Sequence, residues 1–163
     1  MQVWRVCKGK HRATAFSGEG GLYASSRWMP QGLRVVYVAE SLALASLEVF
    51  VHLESDRIPL VAIRARLPEG FAPAATGRIP MERVTVAQLE AMDPEWQSVE
   101  AYGRLQAMGK AWRQAGRTPV LQVPSAIVPV EFNYLLNPEH PDFRVVLDPP
   151  LEFRLDPRMW KQR

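Results

Sequence analysis

Cysteine is nearly missing from this chain: of its 163 residues only Cys7 is one. An internal disulfide is thereby excluded, and a reducing compartment, the cytoplasm, is the expectation. No apolar run reaches the roughly 18 residues that a membrane-spanning helix needs. Lysine and arginine form no block of the kind that marks a nucleic-acid-binding tail. The net charge of +3 and a pI near 9.3 nonetheless favour anionic ligands such as phosphates or nucleotides. His11, His52 and His140 are scattered, and one cysteine cannot complete a usual zinc set, so no metal is expected. The opening MQVWRV lacks a basic region followed by an apolar one and does not read as a signal peptide. Repeats, low-complexity tracts and long linkers are missing as well, which predicts a single domain over 1–163.

A hydrophobic share of 47% supplies an ordinary globular core, and its patterning places the elements. The VWRVC run near the N-terminus reads as a strand, and SGEGG at 17–21 as a glycine-rich loop. LRVVYVA at 33–39 reads as a strand buried on both faces. Ser41 is placed to cap a helix from Leu42 to Leu53. In LVAIRARL at 60–67, Val61, Ile63, Ala65 and Leu67 alternate with Arg64 and Arg66, which predicts a half-exposed strand. The Pro-, Gly- and Ala-rich segment 70–80 reads as loop. Thr85 with Gln88 predicts a capping box for a short helix to Met92. A longer helix is expected from Val99 to Ala115, with Tyr102, Leu105, Met108 and Trp112 inward and Gly116 ending it. Short strands follow at 119–123, 126–130, 143–147 and 151–155, kept short by the intervening prolines. The segment NYLLNPEHPDF most simply fixes a loop. The tally is an α+β domain of short central strands and about three helices.

Glu48 is the sharpest chemical signal. It is the only charged residue in SLALASLEVFVH, and an apolar helix is normally buried. A carboxylate carried inward needs a cation, hydrogen bonds or a raised pKa; the alternative is an exposed helix edge or a structural ion pair. Arg27, between the glycine-rich loop and the Pro30-Gln31-Gly32 turn, can grip a phosphate or carboxylate, or stand solvated at the surface. Tyr37 is either a stacking ring or core. Ser125, in QVPSAIVP, has no G-x-S-x-G setting and no neighbouring histidine; it binds a ligand or caps a turn rather than acting as a nucleophile. SGEGG matches neither common phosphate-loop fingerprint.

Together, SGEGGLYASSRW, QGLRVVYVAESLALASLEVFVHL and LQVPSAIVPVEFNYLLNPEHPDF resemble the RES family, the toxin half of bacterial RES–Xre toxin–antitoxin pairs. The family's arginine, glutamate and serine match Arg27, Glu48 and Ser125, and Tyr37 matches its active-site tyrosine. Ser26 and Met29 depart from the glycine and asparagine that commonly flank the arginine–tryptophan pair. The resemblance implies an ADP-ribosyltransferase-like fold that consumes NAD+ as substrate, without further cofactor or metal. It implies Glu48 and Arg27 as catalytic residues and Arg27, Tyr37 and Ser125 as substrate contacts. It also implies an Xre-type helix-turn-helix antitoxin as partner and a homo-oligomer within that complex, with no membrane and no direct DNA binding by this chain. The competing readings are a mono-ADP-ribosyltransferase acting on a protein, a basic nucleic-acid-binding or ribonuclease domain, and a non-enzymatic interaction module.

Overall fold

The structure is a computed structural model that describes residues 1–55, 57–68 and 80–160. Its centre is an eight-stranded sheet in the order β4-β5-β6-β2-β1-β3-β7, with β8 also paired to β3. The strands are β1 (Gln2–Lys8), β2 (Val36–Ala39), β3 (Leu60–Arg66), β4 (Met81–Arg83), β5 (Val120–Pro124), β6 (Phe132–Leu136), β7 (Val146–Leu147) and β8 (Leu151–Phe153). Every pairing is antiparallel except β4 with β5.

The helices are α1 (Gly20–Tyr23), a single turn, then α2 (Leu42–Phe50), α3 (Val86–Met92) and α4 (Tyr102–Ala115). The caps read from sequence are present. Ser41 Oγ accepts from the Leu44 amide at 3.0 Å, Thr85 and Gln88 close a reciprocal box, and Gly116 ends α4 in the left-handed region at φ 56°.

Side-chain alternation divides the sheet into two faces. Val36, Val38, Tyr134 and Leu136 pack on one side with Val3. On the other, α4 lays Leu105 and Trp112 against Leu121, Leu135, Trp28 and Met29, and α2 lays Leu44 and Ala45 against Val6 and Ala39. Between β1 and β2 only Trp4 opposite Ala39 is in register, whereas β1 and β3 are paired over seven positions. Beyond that single bridge the Arg5 guanidinium, not the backbone of β1, donates to the Tyr37 carbonyl, at 2.6 Å. The sheet is therefore parted beside Tyr37.

Three sequence expectations need correction. The run 126–130 is a turn rather than a strand, because Ser125 Oγ accepts from the amides of Ile127 and Val128, which curls the backbone at the residues a ladder would use. The strand lies next door at Phe132–Leu136, within the segment expected to be loop; the loop proper starts at Asn137. Strand β3 is buried on both faces along Leu60–Ile63 because α2 covers one side and Cys7 and Ala15 the other; only Arg64 and Arg66 reach outward. Most of the loop expected at 70–80 falls outside the described residues, and β4 was not anticipated.

Gly109 fixes how α4 meets the chain around Trp28. A Cβ at this position would lie 1.8 Å from the Trp28 carbonyl oxygen, so only glycine permits the contact. Gly109→Ala is expected to lower the urea midpoint by the equivalent of about 1–3 kcal/mol through overpacking. Gly103→Ala, on the open face of the same helix with nothing near the added carbon, should raise it by up to about 1 kcal/mol.

Candidate active site

Strands β2 and β6, helix α2 and the start of α4 border a cavity of about 680 Å³ lined by Arg27, Tyr37, Glu48, His52, Tyr102 and Asn133, among others. Glu48 is half-buried on α2. Its Oε1 accepts from Ser125 Oγ at 2.8 Å and from Asn133 Nδ2 at 2.5 Å. Among the described residues Oε2 has no protein partner and no cation forms an ion pair with the carboxylate. One oxygen is thus held by two neutral donors while the other remains available.

Ser125 follows β5 and is fully buried, at 0% exposure. Its hydroxyl gives its proton to Glu48 and receives the two turn amides, so it reaches a ligand only through that carboxylate. Asn133 owes its place to strand β6: opposite Ala39 and sharing a face with Leu135, it points toward α2.

Arg27 is held by neutral groups. Its Nη1 donates to the carbonyls of Trp96, Gln97 and Ser98 at 3.5, 2.8 and 3.3 Å, and the guanidinium lies 4.5 Å from the centre of the Tyr102 ring. A cation fixed by carbonyls and a π-face keeps its full charge, unlike one neutralised by a carboxylate. Gln97 is itself tied to the Ala126 carbonyl at 2.7 Å, which links this anchor to the turn after Ser125.

Tyr37 lines the cavity, and its hydroxyl is hydrogen-bonded to Ser26 Oγ. Burial pushes the phenol well above its ordinary pKa, against smaller opposing effects of Ser26 and Arg5, so the ring stays neutral. Ser26 also closes a tight turn, its amide donating to the Met29 carbonyl at 2.9 Å. The Met29 side chain is 1% exposed and packs in the core, so at the position where the family often carries asparagine only the backbone carbonyl makes a polar contact among the described residues, with Ser26.

The structure therefore brings Arg27, Tyr37 and Glu48 to one cavity, with Ser125 buried behind Glu48 rather than among the lining residues. Sequence reasoning passed over three further lining or holding residues. His52 lies four residues beyond Glu48, a spacing that puts both on one side of a helical turn, yet it was grouped with scattered histidines. Asn133 lies on β6 in a segment that reads as loop from the sequence, and Tyr102 reads there as an inward residue of its helix. No group of three or more His, Cys, Asp or Glu side chains able to hold a metal occurs among the described residues. No helix there is long and apolar enough to cross a membrane.

Comparison with known proteins gives the family. Residues 2–156 match the RES domain, and the chain belongs to that family. It is 35% identical to the "Prs ADP-ribosylating toxin" of Sphingobium sp. (strain YBL2), over 96% of this chain and 94% of that protein. It is 31% identical to "Toxin Res" of Photorhabdus laumondii, over 100% of this chain and 99% of the relative. Among solved structures it resembles the M. tuberculosis MbcT–MbcA toxin–antitoxin complex, with a TM-score of 0.72 at 15% identity. The match covers 98% of this chain and 86% of the other, a likeness of fold.

Because the Tyr37 phenol is raised in the folded state, the unfolded chain releases this proton first. Stability from this group is full below the unfolded value of about 10 and falls as pH rises above it. Tyr37→Phe should show a shallower loss of thermal stability between about pH 10 and pH 11.5 than the parent, read by circular dichroism melts.

Proposed function

We propose that this RES domain is the toxin of a bacterial toxin–antitoxin pair and that it degrades NAD+ by cleaving the bond between nicotinamide and ribose. The observation that carries the reading is the Glu48 carboxylate, fixed through one oxygen at a cavity that also presents Arg27 and Tyr37. When that bond breaks, its electron pair leaves with the ring nitrogen and nicotinamide departs as a neutral base. Positive charge then builds on the ribose carbon and ring oxygen, as in glycoside cleavage. Glu48, through Oε2, stabilises this charge and accepts a hydrogen bond from a ribose hydroxyl. Ser125 and Asn133 hold the carboxylate so that it need not reorganise as the charge develops. Arg27 grips a phosphate through the guanidinium nitrogens its carbonyl partners leave open. The neutral ring of Tyr37 packs against nicotinamide. In this scheme the substrate contact expected of Ser125 passes through Glu48.

The ribosyl cation is then captured. Water yields ADP-ribose and a proton; inorganic phosphate yields the corresponding ribosyl phosphate. NAD+ is consumed as substrate, and the scheme calls for no metal or further cofactor. Capture by a protein side chain is the second reading, and the name of the Sphingobium relative favours it. The partner in this reading is an antitoxin, of the Xre helix-turn-helix type, and the compartment is the cytoplasm.

Nicotinamide release from NAD+ by the purified chain tests the reading directly. Glu48→Gln should lower kcat by about 100-fold or more while the melting temperature changes little. Equal rates in the two proteins would remove Glu48 from the mechanism, and no release by the parent would remove the activity. Label carried on the adenosine side, followed with phosphate or cell lysate added, separates hydrolysis, phosphorolysis and protein transfer. Arg27→Lys should chiefly raise KM, since a point charge replaces a bidentate fork.

A further inference from the structure

Seven arginines of this chain, at 34, 64, 66, 104, 113, 117 and 158, sit within ion-pair distance of a carboxylate. Ten other lysines and arginines do not, among the described residues, and five of these converge on one place. Lys8 ends β1, Lys10 and Arg12 follow it, Arg57 precedes β3, and Arg154 follows β8. They border two adjoining cavities, of about 470 and 760 Å³, that share Arg12 and Arg57 as walls. Among the described residues Glu152 is the one carboxylate lining them. Neither cavity has a lining residue in common with the cavity around Glu48.

The smaller cavity is more than a charged patch. Its apolar lining includes Leu53, Ile58, Phe153, Leu155 and Trp160. Trp160 stands edge-on to Phe50, with ring centres 5.0 Å apart. Its indole N–H is buried without an acceptor among the described residues, a state that folded proteins seldom leave unrelieved. An apolar recess beside a donor and guanidinium groups that have no acceptor or carboxylate partner among the described residues matches a flat heterocycle joined to phosphates. An extended nucleic-acid backbone would instead use a convex or channelled basic surface with stacking side chains repeated along it.

We propose that this groove is a second ligand site, for a nucleotide bearing two or more phosphates. The base lies against Trp160 and Phe153, and the phosphates lie between Arg12, Arg57 and Arg154, with Lys8 and Lys10 extending the positive field. The site is separate from the NAD+ reading, and its test measures binding rather than turnover.

Fluorescent methylanthraniloyl-ADP, titrated into the full chain, is the probe. Arg12→Glu/Arg57→Glu should weaken its binding about tenfold or more, the size expected for lost charged hydrogen bonds. Trp160→Leu should weaken it with the charges intact, and Arg27→Ala should leave it unchanged. Circular dichroism spectra and melting temperatures of the groove variants should match those of the parent, which shows that they fold. Loss of binding in Arg27→Ala but not in the groove variants would assign the probe to the Glu48 cavity and overturn the proposal. Inorganic pyrophosphate competing as tightly as the nucleotide would remove the base from it. Binding of labelled duplex DNA with no binding of the nucleotide would replace the site by a nucleic-acid surface. Absence of any binding would leave no site at all.

Discussion

The hydrogen bonds from Ser125 and Asn133 to one oxygen of Glu48 are the interaction on which the rest of the site depends. They join a helix, a turn and a strand at a single atom. An uncompensated carboxylate on an otherwise apolar helix would be costly to bring inward; two neutral donors offset that cost without cancelling the charge. The arrangement in turn constrains the sheet. Asn133 faces α2 only while β6 keeps its register with β2, Ala39 opposite Asn133. A slip by one residue would carry Asn133 to the other face and bring Phe132 or Tyr134 in its place.

Arg27 follows the same logic from the cationic side. Three carbonyls and an aromatic face fix it, and none of them carries a full negative charge. The cavity thus contains a fixed cation and a fixed anion that are not spent on each other, as the proposed cleavage requires. The close approach of Gly109 to Trp28 holds the neighbouring backbone against α4, and the Tyr37 hydroxyl ties Ser26 into the same corner. Neutrality of Tyr37 is part of the balance, since a phenolate beside Glu48 would add a second negative charge to a half-buried site.

Local signals in the sequence were good guides wherever the deciding forces were local. Ser41, Thr85 with Gln88, and Gly116 announced helix ends because a cap is settled within a few residues. Glu48 stood out because a lone charge in an apolar run conflicts with burial. The strand at 132–136 was hidden by the prolines that follow it, and the turn at 126–130 looked extended because Ile127, Val128 and Val130 are β-branched. The hydrogen bonds of the Ser125 hydroxyl overrode that propensity, and no propensity contains them. Asn133 and the anchoring carbonyls at 96–98 were illegible for a related reason. Their roles come from partners 70 to 85 positions away, and a backbone carbonyl has no letter in the sequence. What united Arg27, Tyr37, Glu48 and Ser125 beforehand was resemblance to a family, not their spacing.

Strand β6 lies between β2 and β5 in the sheet, yet it is made well after β2. Arg27, Tyr37 and Glu48 all precede it by more than 80 positions. Until the ribosome has released residues 125–136, Glu48 lacks both of its holding groups and β2 has an open edge. A growing chain therefore carries these candidate residues through more than 80 further positions of synthesis without the means to align them, and the site closes only once β6 has been added.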